Sequence, residues 1–398
     1  MSTAKEIIRI AARGDGVTAD GRHVPGAVPG DSVAADGTLI AGPHHVTPPC
    51  HHFTTCGGCQ LQYADETVLA QFATERVVHA AEGQGIAAQT VAPVHLSPPL
   101  ARRRATLHAE RKAKAVLLGY REARSHQIVN LADCPVLRPE LFALVAPLRA
   151  MLAAWGGRFA ADIELALVDQ GVVCGIKGIR AESLAQTEAL LDFARRNALA
   201  RLTVDDGYGP EAVWEPEPAT IPLGGVAVGF PAGAFLQATA DGETALVAAA
   251  QEWLAGISPV ADLFSGLGTF ALALAGPAKV LAAEAARDAH LACQLAARQS
   301  GKPVFAQHRD LFRNPLLAEE ASKFGAILLD PPRAGAREQV EQIALSSCNR
   351  VVYVSCNPAS WAKDAKRLVE AGFVLKEVRP VGQFRWSTHV ELASLFLR

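Results

Sequence analysis

Five short apolar runs in the second half of the chain each carry or lead to a residue able to do chemistry. They are Val260-Ala261-Asp262-Leu263, the run KVLAAE closing on Glu284, VFAQ leading to Asp310, GAILLD closing on Asp330, and Val351-Val352-Tyr353-Val354-Ser355 leading to Cys356. Such runs read as buried strands. From residue 231 they alternate with helix-length stretches, and that rhythm admits little besides an open α/β sheet. Ligands of these sheets bind beyond the carboxyl ends of the strands. Ser-Cys-Asn-Pro at 355–358 can continue neither as sheet nor as helix, so Cys356 is held at such an end, where a thiol can act as a nucleophile.

The loop after the first run, Phe264-Ser265-Gly266-Leu267-Gly268-Thr269, is a glycine turn opening a helix, where backbone can approach a ligand closely. A dinucleotide site would use G-x-G-x-x-G. Here the third glycine is missing, and the D-x-x-x-G-x-G pattern is closer to a class I S-adenosylmethionine site. Glu284, at the end of the next strand, suits the hydroxyls of an adenosine ribose. Asp310 reads equally as an adenine contact or as a plain helix cap. Asp330, followed by Pro331 and Pro332, is held rigidly over the same pocket. The segments FVLKEVRPVGQF and HVELASLFLR close the chain as an antiparallel hairpin, with Glu391 opening the last strand near Cys356.

Upstream, residues 1–45 alternate apolar and polar side chains between glycine turns, which predicts a small β-barrel. Residues 46–232 begin with Cys50-x5-Cys56-x2-Cys59, and Cys134-Pro135 supplies a fourth thiol. Thiolate-only sites hold zinc or an iron–sulfur cluster. The tight triad with a distant Cys-Pro leans toward a cubane cluster, while the neighbouring His44, His45, His51 and His52 keep zinc open. One helix is expected over 62–90, with scope to pack on the catalytic domain. A basic ribbon over 101–126 offers a phosphate-binding face. A helix near 140–155, strands near 163–176 and 200–204, and a helix near 181–198 complete this part, which carries no catalytic motif. Cys174, Cys293 and Cys348 read as core packing.

Composition bounds the rest. A net charge of −2 excludes a wholly basic nucleic-acid coat but not a local patch. The opening MSTAKEIIRIAARGDG lacks the apolar stretch of a secretion signal, and no apolar run reaches the ~18 residues of a membrane span. A cytoplasmic protein without membrane attachment is expected, and with it cysteines outside any disulfide framework.

Taken together, Gln237 in its loop, DLFSGLGTF, Glu284, LLDPPRAG, YVSCNP and HVE resemble the RNA 5-methyluridine methyltransferases. The cysteine triad with GYREARSHQIVNLADCPVL is similar to the [4Fe-4S] branch that modifies 23S ribosomal RNA, and within it most to members acting on the large-subunit uridine 1939, with the shortened N-terminal segment leaving open the sister members that act on position 747 and generally lack a TRAM domain. The N-terminal segment resembles a TRAM domain, an RNA-binding OB-like barrel, shortened here. The resemblance implies a class I S-adenosylmethionine-dependent methyltransferase domain over 233–398, an α+β iron–sulfur domain over 46–232 and a TRAM-like barrel over 1–45. It implies Cys356 as nucleophile and Glu391 as base. Gln237, Phe264, Thr269, Glu284, Asp310 and Asp330 would lie around the cofactor, and Cys50, Cys56, Cys59 and Cys134 would hold the metal centre. A monomer acting on a flipped or unpaired uridine is expected. Thr269 and Thr239 stand where the family often has Asn, and Phe384-Arg385-Trp386-Ser387 replaces its Phe-Pro-x-Thr. A transfer-RNA enzyme, a 5-methylcytosine enzyme and a non-catalytic metal-containing RNA-binding protein are the alternatives. Arg333, standing where the cytosine enzymes carry a second Cys, speaks against the second of these.

Overall fold

A computed structural model describes residues 4–113 and 115–398. Its organising element is a sheet of strands β1 (Val260–Leu263), β2 (Val280–Glu284), β3 (Val304–His308), β4 (Ala326–Leu329), β5 (Arg350–Ser355), β6 (Val374–Gly382) and β7 (Glu391–Leu397), in the order β3-β2-β1-β4-β5-β7-β6. The first five run parallel, and β7 is inserted antiparallel to both its neighbours. Every residue of β1 and β4 is buried, as expected of central strands covered by helices on both faces. One apolar core on each side of the sheet seals it.

Local chemistry sets where β5 ends. Asn357 caps the helix Pro358–Glu370, its Oδ1 accepting the Ala359 N–H at 3.2 Å, and Pro358 occupies the first turn, where a missing N–H costs nothing. The strand stops at Ser355, so Cys356 falls in the elbow between two rigid elements.

The helix expected over 62–90 is shorter, Glu66–Glu82, capped by Asp65 and stopped before Gly83 and Gly85. It packs on Pro358–Glu370 and on β6. The chain beyond it adds two strands to the same sheet, Thr90–Val91 and His95–Leu96, both parallel to β6. Leu61, Tyr63, Phe72 and Val77 therefore share one core with Tyr353 and Trp361. A second sheet of six strands runs Glu211–Trp214, Arg201–Asp205, Gly171–Lys177, Ala160–Val168, Arg104–Lys112, Ala115–Gly119, with helices Val145–Leu152 and Leu184–Arg196 sharing its core. Lys114, counted in the basic ribbon, lies outside the described residues. A hairpin of Thr220–Leu223 and Val226–Gly229, not read in the sequence, packs against the catalytic helices Thr269–Leu274 and Arg287–Ser300.

The N-terminal segment is an antiparallel sheet of five short strands, with His23–Val24 and Leu39–Ile40 at its edges, around Ile7, Ala27 and Val33. The expected barrel is thus an open sheet. Cys174, Cys293 and Cys348 are buried. No helix among the described residues is long and apolar enough to cross a membrane.

Candidate active site

Strand register builds the site. Ser355 of β5 pairs with Leu392 of β7, and Val381 of β6 pairs with Glu391. One further step along the β5–β7 ladder sets Cys356 across from Glu391. Cys356 is half-buried, whereas Glu391 is 3% exposed. Burial, then the facing Glu391 and Asp330, push the Cys356 thiol up to about 11, with Arg333 opposing them. Burial also pushes the Glu391 carboxyl up to about 8. Asp330 adds to that shift, and Gln383 and Arg104 oppose it. Asp330, closing β4, is raised by burial to about 7. Burial is the largest cause of all three shifts, and it brings the two carboxyls close to neutral pH while the thiol stays well above it.

The glycine loop opens a cradle beside them. Phe264, Gly266 and Gly268 all adopt left-handed backbone, with φ of 64°, 55° and 90°. A Cβ on Gly266 would meet nothing within 4 Å, so the space above it is open to a ligand. A Cβ on Gly268 would stand 2.6 Å from Cys293 Sγ, so glycine is needed there for packing as well as for φ. Glu284 steadies the loop, its Oε2 accepting the Gly266 N–H at 2.9 Å and its Oε1 the Ala286 N–H at 2.6 Å. Asp262 is fully buried and ties β1 to the following helix by accepting the Ala271 N–H at 2.8 Å. No helix follows Asp310 directly; its Oδ1 accepts from the N–H groups of Phe312 and Arg313 and closes a turn there. Thr269 is the first residue of its helix. Phe312, which the sequence reading passed over, lies 5.3 Å from Phe264, centroid to centroid.

Gln237 is buried, and its side-chain oxygen accepts from Gln383 at 2.8 Å. Thr239 caps the helix Ala240–Trp253 through Gly242 N–H. The departure at 384–387 forms a turn closed by Ser387 N–H on Phe384 carbonyl, with Trp386 at φ 59°. The Trp386 carbonyl accepts the N–H groups of Gln60 and Leu61, and Arg385 donates to the Ser97 carbonyl at 3.0 Å and pairs with Glu66. These residues fasten the catalytic hairpin to the segment that follows the cysteines.

Positive charge collects at the mouth. Arg333 meets His389 at 2.9 Å, Phe384 lies 6.0 Å from His389, and Arg102 covers Phe384 at 5.3 Å. Burial and the charges of Arg333, Arg102 and Arg76 hold His389 below its ordinary pKa. Arg104 stacks on exposed Phe235 at 4.5 Å. A groove of about 470 Å³ runs from there across the six-stranded sheet, with Arg102, Tyr120, Lys177 and Arg201 among its walls.

Cys50, Cys56, Cys59 and Cys134 line one cavity with Phe53, Tyr120 and Val136. Burial raises all four thiols, Cys59 to about 12. No group of three or more His, Cys, Asp or Glu residues among the described residues is disposed to hold a metal ion.

Strand order, glycine cradle and Glu284 define a class I S-adenosylmethionine-dependent methyltransferase. A family model described as tRNA (Uracil-5-)-methyltransferase matches residues 303–398. An uncharacterised RNA methyltransferase of Zymomonas mobilis is 50% identical over 99% of this chain and 100% of its own length. The 23S rRNA (uracil(1939)-C(5))-methyltransferase RlmD of Pectobacterium atrosepticum is 34% identical over 90% of this chain and 82% of its own. The chain belongs to the RNA 5-methyluridine methyltransferase family. Among solved structures, the Pyrococcus abyssi tRNA (uracil-54, C5)-methyltransferase in complex with S-adenosyl-L-homocysteine shares its fold, with a TM-score of 0.76 and 20% identity over 99% of this chain and 100% of the other.

Proposed function

We propose that this enzyme methylates C5 of a uridine in 23S ribosomal RNA, through a transient bond between Cys356 and C6 of the base. The observation that carries the reading is half-buried Cys356 facing buried Glu391 beside Asp330, at the ligand-binding end of the sheet. Cys356 ionises with help from Arg333, and more readily once a sulfonium charge is bound nearby. Its thiolate adds to C6 and makes C5 an enolate-like carbon. The bound S-adenosylmethionine supplies the methyl group. Glu391 then removes the C5 proton and Cys356 departs. Asp330 positions the uracil or the cofactor, and Gln237, Phe264 and Glu284 hold the cofactor.

The choice of 23S RNA rests on the relative named for it and on the four-cysteine cavity. The donor chemistry is that of an iron–sulfur cluster, all sulfur with largely apolar walls, and binding one would require the four thiols to converge from the positions they hold here. A cluster there would order the loop carrying Arg121 and Arg124, since Gly57 N–H bonds the Arg121 carbonyl and Ala123 N–H bonds the Thr55 carbonyl. The N-terminal sheet, the arginines at the mouth and the groove would together hold the RNA.

The test is methyl transfer to 23S and transfer RNA from a strain lacking the gene, with the product mapped by mass spectrometry. The purified enzyme is expected to form 5-methyluridine in 23S RNA, and Cys356→Ala to form none while still binding S-adenosylhomocysteine. Methylation of transfer RNA alone would move the substrate to that class. Full turnover by Cys356→Ala would remove the covalent mechanism.

A further inference from the structure

Gln383 lies just beyond the end of β6, where the chain leaves the sheet, and is 1% exposed. Its orientation is dictated by chemistry. The Thr239 backbone N–H points at it from 3.2 Å and can only donate, so the amide oxygen must face Thr239. The amide nitrogen is then turned the other way, where it donates to Gln237 Oε1 at 2.8 Å and to Glu391 Oε2. A single buried amide thus joins the capped start of one helix, the Gln237 loop and the carboxyl facing Cys356.

We propose that Gln383 is a positioning residue for the proton-removal step, aiming Glu391 at C5, favouring its anion against the burial and the acids around it, and linking it to the Gln237 loop. The proposal rests on the reading of Glu391 as base. In that step the C5–H bond breaks and the proton passes to a Glu391 oxygen. The electron pair of the C–H bond becomes the C5–C6 double bond, and the C6–S pair leaves with Cys356 as thiolate. A base left neutral cannot take that proton. The charged or titratable groups facing Glu391 are Asp330 from the end of β4, Cys356 beyond β5 and Arg104 from the ribbon. The first two disfavour its anion, Arg104 favours it, and the Gln383 amide supplies a directed N–H donor on its favouring side.

The experiment compares the full-length wild type with Gln383→Met and Gln383→Asn. The first removes both amide groups at similar length, and the second keeps them but withdraws them by one methylene. A hydrogen bond to a charged group converts to roughly one to two pKa units. The acidic limb of kcat at saturating RNA and cofactor is therefore expected to move up by roughly one to two pH units in both variants. At pH 7, kcat should fall roughly ten- to a hundredfold. The covalent RNA–protein adduct should accumulate on a denaturing gel, with S-adenosylhomocysteine affinity and the rate of adduct formation near wild type. Glu391→Gln serves as reference. If Glu391→Gln accumulates adduct while both Gln383 variants keep the wild-type pH profile and clear theirs normally, the role of Gln383 is overturned and that of Glu391 stands. If Glu391→Gln turns over freely with no adduct, the base assignment itself fails. A lost cofactor affinity in both Gln383 variants, with an unshifted pH profile, would mark the residue as merely structural and overturn the proposal.

Discussion

Glu391 holds its proton to about pH 8 in the folded protein, against 4.5 for an ordinary glutamate carboxyl. The sign of the linkage is opposite to that of a salt-bridged acid. The native state binds the extra proton between those pH values, so stability is fully present below pH 4.5 and is lost as pH rises toward 8. The loss for so buried a group is on the order of 5 kcal/mol. Glu391→Gln should therefore melt close to wild type at pH 5 and above it at pH 9. Thermal unfolding at the two pH values checks this, and parallel curves would contradict the buried carboxyl. Asp330, raised to about 7, adds a slope of the same sign that the variant retains.

At the scale of elements, the glycine loop after β1 depends on one close approach. Gly268 takes a left-handed φ of 90° against Cys293 Sγ. Gly268→Ala should destabilise the protein by roughly 1–3 kcal/mol and weaken S-adenosylhomocysteine binding. Adding Cys293→Ala should recover the part due to the clash and leave the part due to φ; unfolding and calorimetry of the single and double variants separate the two. The helix Glu66–Glu82 makes the converse point. Phe72 is 3% exposed within the core that includes Trp361 and Tyr353. Phe72→Ala is expected to cost roughly 3–5 kcal/mol in the unfolding of the catalytic sheet, although the residue lies far from it in sequence.

The whole molecule brings Arg102 from the six-stranded sheet's side and Arg333 from the loop after β4 to one mouth, around Phe384 and His389. Neither is ion-paired among the described residues, unlike Arg103, which Glu243 holds at 2.7 Å. Arg102→Ala and Arg333→Ala should each weaken RNA binding and lower the slope of log affinity against log salt by roughly one. Titration of RNA at several salt concentrations reads both. An unchanged slope would take the RNA backbone away from this mouth.

The sequence by itself determined the α/β alternation, the ends of β1 to β5, the elbow at Cys356 and the glycine loop, because each follows from local rules: apolar runs, caps, prolines and positive φ. The Gly224-Gly225 turn obeyed the same rules, with both glycines at positive φ, and was legible as a hairpin signal yet left unread. Asp310 allowed two roles in the sequence, and the structure adds a third local one, closing a turn through the N–H groups of Phe312 and Arg313. Tertiary structure alone decided that Gln383 sits between Gln237 and Glu391, that Arg104 looks onto the Glu391 carboxyl, and that residues 61–96 close the methyltransferase sheet rather than the neighbouring one. Apart from Gln383 and Glu391, which are eight residues apart across the β6–β7 turn, those contacts join positions more than a hundred residues apart, and no pattern of spacing records them. They arise from the insertion of β7 between β5 and β6, which brings the end of one strand to the start of another and buries what lies between.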